Sequence, residues 1–175
     1  TNHTIDDSCR KSMVVWCQQV QKALKLSPET GWIAISFFDR YLSSGKGKSN
    51  AALQDKYTFQ LAAITSFYIA VKLYEDVELS VSTLAKLCKG YYKENDIIEC
   101  EEDILFALNF RLATPTAMDF IHHYLQLLPS EMNTSNVLEE VESRVYSTCT
   151  DIYFTFCKPS VVAAACLSVV LTSKD

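Results

Sequence analysis

Leu61-Ala62-Ala63-Ile64-Thr65-Ser66-Phe67-Tyr68-Ile69-Ala70-Val71-Lys72-Leu73 carries one charge and no glycine or proline. It lies within a helical segment predicted over about residues 54–75. Its apolar positions fall on every side of a helical wheel, and a helix with no polar face belongs at the buried centre of a domain. The stretch is shorter than the roughly 18–20 apolar residues that a bilayer crossing requires. The same holds for Val161 to Leu171, so both are predicted to be core helices and no membrane partner is expected.

Working outward, turn residues separate further helical segments. Upstream, apolar positions from Met13 to Leu24 predict a helix over about 7–26. Ser27-Pro28-Glu29 ends it and opens the next, about 29–42, with serine as N-cap and proline at the first helical position. Ser43 to Gly47 reads as a loop. Downstream, a short helix over about 80–89 closes at Gly90, and an amphipathic one follows over about 93–110. Thr114-Pro115 opens a helix to Leu128, a longer one is predicted over about 136–156, and Lys158-Pro159-Ser160 opens the last. Leu61-Ala62-Ala63 is echoed about 100 positions later by Val162-Ala163-Ala164, the mark of two copies of one helical unit.

Composition agrees. The 175 residues are 49% hydrophobic and 21% charged, which supports a real core and excludes a disordered chain. Four glycines and four prolines are too few to punctuate a many-stranded sandwich or barrel. The fold class is therefore all-α. A net charge of −5, from 16 basic and 21 acidic residues, argues against a direct nucleic-acid partner, which needs a basic face.

None of the seven cysteines forms a C-x-x-C pair, and Cys17, Cys100 and Cys166 sit in apolar runs, so a reduced intracellular protein is expected. The triplets Asn2-His3-Thr4 and Asn133-Thr134-Ser135 fit a glycosylation acceptor but matter only in a secreted chain. Thr1 to Arg10 has no apolar signal core. The chain starts without Met and stops at Lys174-Asp175 directly after an apolar helix, so a fragment of a longer protein is expected.

Two charges break the local pattern. On a wheel started at Ile97, Glu101 falls at about 40°, amid Leu105 and Leu108, whereas Glu99, Glu102 and Asp103 take the polar side. Lys72 sits in the apolar central helix one turn after Tyr68. Such residues are rarely buried unless paired. Either they form a Lys72–Glu101 ion pair, or the lysine snorkels out at its helix end, or the two stand at a groove rim to bond another protein's backbone. Arg10 and Asp39 make a second candidate pair, a bidentate lock between the first two helices. His122 and His123 are adjacent and diverge, which does not suit a metal. No glycine-rich phosphate loop or nucleophile motif occurs. Neither an enzyme nor a cofactor is expected.

Arg10-Lys11-Ser12-Met13-Val14-Val15-Trp16, followed by Phe38-Asp39-Arg40-Tyr41-Leu42-Ser43, resembles the opening of a cyclin box. Ala70 to Glu75 is similar to that family's lysine-bearing third helix. Glu101 to Leu112, with the Ala113-Thr114-Pro115-Thr116 that follows, is similar to its fifth helix and the start of a second cyclin fold. Lys158-Pro159-Ser160 is similar to the third helix of that second fold. The resemblance implies tandem five-helix cyclin folds, an N-terminal box over 1–112 and a partial C-terminal fold over 113–175, its first three helices. The Arg-Lys opening and tryptophan spacing look nearest to D-type boxes, with A- or B-like boxes the alternative.

The resemblance further implies a regulatory subunit of a cyclin-dependent kinase, found in the nucleus, the cytoplasm or both. Lys72 and Glu101 match the kinase-bonding pair. Ile69, Leu73, Leu105 and Phe110 match the apolar bed for the kinase αC helix, and Arg10 and Asp39 match the family's structural pair. The patch that docks substrates or inhibitors falls on Cys9, Ser12, Met13, Trp16 and Gln60, where a serine replaces a branched aliphatic and weakens the expected docking of Arg-x-Leu motifs. Two other classes share the architecture: a transcription-factor-type adaptor, which needs basic helix faces, and a transcriptional-kinase cyclin. A box that has lost kinase activation would not be expected to keep both Lys72 and Glu101.

Overall fold

The computed structural model describes residues 5–129 and 134–173, so the acceptor positions Asn2 and Asn133, His3 and the last two residues lie outside the described residues. Every regular element among the described residues is helical. The chain divides into two compact units, Thr1–Leu112 and Ala113–Asp175.

In the first unit α1 (Asp7–Ala23), α2 (Pro28–Ser43), α3 (Ser49–Ala52), α4 (Lys56–Tyr74), α5 (Val81–Leu87) and α6 (Glu94–Ala107) follow one another. α4 is the hub: α1, α2, α3 and α6 all pack on it, and every residue from Leu61 to Val71 is buried. Phe37, Phe59, Phe67 and Tyr41 are at most 2% exposed, and each such side chain contributes roughly 1.5–3 kcal/mol by leaving water. Phe38 meets Phe59 edge-on at 5.0 Å, and Trp16 meets Phe67 at 5.9 Å.

At Ser27-Pro28 the helix start follows the predicted chemistry. Asp6, Ser27, Asp55 and Ser80 cap α1, α2, α4 and α5 through their side chains. Helix ends differ from the sequence reading. α1 stops at Ala23 and not near residue 26, because Lys25 turns left-handed (φ 55°) and the Leu26 N–H returns to Gln21 O. α5 turns at Lys89, one residue before the predicted Gly90, and α6 turns at Asn109. All three use the same 6→1 closure, with no glycine at the first left-handed position.

Two long-range contacts anchor this frame. Arg10 Nε and Nη2 donate to the two carboxylate oxygens of Asp39, both at 2.8 Å, with the Arg10 side chain 7% exposed. This is the predicted lock between α1 and α2. The second was misread: Asp103 does not face away. It accepts from the Tyr41 hydroxyl at 2.5 Å and from the Lys48 N–H at 2.9 Å, and burial, followed by that bond, raises the Tyr41 phenol above its ordinary value. Its carboxylate fills the space where Gly47 (φ 56°) would carry a Cβ, so a side chain there would displace the carboxylate as well as strain the backbone.

The second unit holds α7 (Ala117–Gln126), α8 (Ser135–Cys149), a 3₁₀ turn (Ile152–Phe156) and α9 (Pro159–Thr172). α7 starts two residues later than predicted: Thr116 is its N-cap and forms a reciprocal box with Asp119. The predicted 136–156 helix breaks at Thr150, where Asp151 caps the 3₁₀ turn instead. His122 is half-buried and His123 exposed. α9 buries Val162, Ala163, Cys166, Leu167 and Val170 against its neighbours but leaves Val161 and Val169 exposed, so it echoes α4 in sequence without matching its burial.

Asp39→Ala is expected to destabilise the chain by roughly 3–5 kcal/mol in urea unfolding, because it leaves a buried guanidinium without its carboxylate. The paired replacement Arg10→Met/Asp39→Leu should recover most of that loss.

Candidate partner-binding face

The site is built where the cover over α4 runs out. Its last turn brings Lys72 past the core, and Glu75 ends the helix by accepting from the Ser27 N–H at 2.8 Å and the Thr30 hydroxyl at 2.5 Å. Those bonds tie the end of α4 to the start of α2 and fix the height of Lys72. α6 packs alongside, and its Glu101 Oε1 accepts from Lys72 Nζ at 2.7 Å. The pair is asymmetric: the lysine side chain is 45% exposed and the glutamate 15%. Tyr68, one turn back on α4, places its ring 5.0 Å beneath the ammonium. Burial raises the Tyr68 phenol; Lys72 opposes the shift, and Glu101 and Glu78 add to it.

The ion pair and the groove-rim reading are thus compatible. One N–H of Lys72 goes to Glu101, which leaves two donors. Glu101 keeps its second oxygen as an acceptor. The groups hold each other in place while keeping both hydrogen-bond polarities available.

Of the apolar residues expected around them, Leu73 (51%) and Phe110 (59%) are exposed and Leu105 is half-buried. Ile69 is different: at 2% exposure it belongs to the core and supports this face from beneath. Ile98, 43% exposed, lies three residues before Glu101 and so shares its side of α6 with Leu105. The wheel that placed Glu101 would have placed Ile98 too. Phe106 stacks edge-on against Phe110 at 5.4 Å and is 69% exposed. Phe110 lies beyond the end of α6 with φ 55°, a conformation rare for an aromatic residue.

The second patch changes character in three dimensions. Met13 is buried, and Trp16 turns its half-buried ring against Phe67. Gln60 instead joins Ser8, Cys9, Ser12, Lys56 and Phe59 around a cleft of about 210 Å³. Its Oε1 accepts from the Tyr92 hydroxyl at 3.2 Å. The surface here is polar where an apolar patch was the comparison. The deeply buried thiols are chemically quiet: burial pushes Cys17 up to about 12 and Cys100 up to about 11, far from the thiolate form. No helix among the described residues is long and apolar enough to cross a membrane.

The family described as "Cyclin, N-terminal domain" matches residues 1–113. The chain is 31% identical to cyclin-A1-2 of Arabidopsis thaliana over 80% of its own length and 30% of that protein. It is 28% identical to the G1/S-specific cyclin-D1 of Danio rerio over 89% of its own length and 51% of that protein. It therefore spans about a third to a half of these curated relatives. In fold it is similar to a viral cyclin from herpesvirus saimiri known from its X-ray structure, with a TM-score of 0.77, 19% identity, and coverage of 98% of this chain and 72% of that one. A helical hub walled by α1, α2, α3 and α6, with a lysine and a glutamate meeting at its open end, is thus a cyclin box. The chain belongs to the cyclin family.

Lys72→Ala/Glu101→Ala is expected to change unfolding free energy by no more than about 1 kcal/mol, as for exposed pairs generally. Lys72→Ala alone should be worse than Glu101→Ala alone, because it leaves the better-buried carboxylate without its cation. Urea titration of the three variants checks this order.

Proposed function

We propose that this cyclin is a regulatory subunit that binds and activates a cyclin-dependent serine/threonine kinase inside the cell, in the nucleus or cytoplasm. The observation that carries the reading is the Lys72–Glu101 pair at 2.7 Å, set among exposed apolar side chains. A pair that only stabilised the fold would gain nothing from such a border. A pair that receives a helix needs both, since apolar surface supplies the area and the charges supply register and polarity.

In this reading Leu73, Leu105, Phe110 and Ile98 form the bed for the kinase αC helix, with Ile69 backing it from the core. Lys72 and Glu101 bond main-chain carbonyl and N–H groups beside that helix. Docking the helix moves the kinase's own glutamate toward its ATP-binding lysine and reshapes the activation loop, which completes a site for phosphoryl transfer. The cyclin contributes no reacting group. Substrates or inhibitors would reach the assembly through the region of Trp16 and Gln60, in which Met13 has only a supporting place.

The test is a pulldown from proliferating-cell extract with the wild-type chain beside Lys72→Ala/Glu101→Ala, with histone-kinase activity assayed on the beads. Bead-bound activity should fall at least about tenfold in the variant, as expected when a hydrogen-bonded interface charge is removed. Undiminished activity from a folded variant would refute the mechanism.

A further inference from the structure

We infer that Tyr68 is a third polar member of this face: its ring positions the Lys72 ammonium, and its hydroxyl is reserved for a main-chain carbonyl of the bound segment. The inference rests on the kinase-binding reading and adds to it a residue that the sequence pattern placed in the core.

Tyr68 is 6% exposed, and a buried phenol ordinarily finds a hydrogen-bond partner. The other buried tyrosines of the first unit do so. Tyr41 donates to Asp103, and Tyr92 lies within reach of Gln60 and of the Tyr57 carbonyl. The Tyr68 hydroxyl has no such partner among the described residues, yet its oxygen is not one of the fully enclosed unsatisfied atoms, which are Gln18 Nε2, Ser49 Oγ, Thr65 Oγ1 and Ser66 Oγ. The ring is sealed while the tip stays reachable.

The charged groups that bear on the tip are Lys72, Glu101 and Glu78. Lys72 is itself held from two sides, by the ring at 5.0 Å and by the Glu101 carboxylate at 2.7 Å. A cation over an aromatic face is attracted by the ring quadrupole, so the ring narrows the positions the lysine samples before a partner arrives. The hydroxyl and the two spare N–H groups of Lys72 are neighbouring donors, and such a set suits carbonyl oxygens that lack partners, as at a helix end. Phenylalanine would keep the ring and lose this bond; leucine would lose both.

Tyr68→Phe and Tyr68→Leu separate the two roles. In the free chain, the Lys72 ε-methylene proton resonances should be ring-shifted upfield in wild type and Tyr68→Phe, and should return to the ordinary lysine position in Tyr68→Leu. With the kinase recovered by the wild-type chain and then purified, Tyr68→Phe should weaken binding roughly three- to tenfold, with an unfolding midpoint equal to or above wild type because no internal bond is lost. Tyr68→Leu should weaken binding further. Unchanged affinity in Tyr68→Phe, alongside loss in Lys72→Ala/Glu101→Ala, overturns the hydroxyl's role and leaves the kinase reading standing. An unshifted Lys72 resonance in wild type overturns the ring's role. No kinase bound by the folded wild-type chain overturns the kinase reading and the hydroxyl's role with it.

Discussion

From Leu61 to Val71 every residue of α4 is buried, and the arrangement of the first unit follows from that constraint. A helix apolar on all sides must be walled by other helices. α1, α2, α3 and α6 supply the walls, and the polar ties between elements lie at the edges of this packing. Arg10–Asp39 joins the first two walls. Glu75 joins the end of α4 to the start of α2, and Asp103 joins α6 to Tyr41 and the Lys48 backbone. Each tie fixes an angle or a height that hydrophobic packing alone leaves adjustable. Lys72 reaches its place because the first charge after the apolar run falls where the wall ends.

What could be read from the chain divides along the same line. Two helix starts were legible because their signal is local, Ser27 before Pro28 and Lys158 before Pro159, whereas the same signal at Thr114-Pro115 put the start of α7 two residues early. Helix ends were less so. Lys25, Lys89 and Asn109 take the left-handed turn that glycine usually marks, and the surrounding contacts, such as the burial of Leu26, decide the stop. The 136–156 helix broke at Thr150 because Asp151 offered its carboxylate to the Tyr153 N–H, a local bond that competes with helix continuation.

The site was legible through its anomaly and no further. A wheel detects that Glu101 is out of place, but it cannot tell that Asp103 turns inward, since that depends on Gly47, distant in sequence in the loop after α2. The wheel also cannot separate Ile69 from Leu73, which lie only about 40° apart on it. Both are apolar residues near Lys72, and only the packing of α4 shows that one is 2% and the other 51% exposed. Tyr68 passed as a core aromatic for the same reason: its ring is core, and its hydroxyl is not.

The exposure of the Lys72–Glu101 pair is itself informative. A fully buried pair would carry a desolvation penalty comparable to its attraction and would have no spare hydrogen-bonding capacity at the surface. A fully exposed pair would be screened by salt and would sample many rotamers. Here the glutamate is held in the wall and the lysine stands out from it, fixed by an aromatic ring below and a carboxylate beside it. In the kinase-binding reading proposed above, little rotamer entropy remains to be lost on docking, and most of the lysine's desolvation is deferred until that moment. An arrangement that adds little to folding but is ordered in advance is what recognition of a main chain requires.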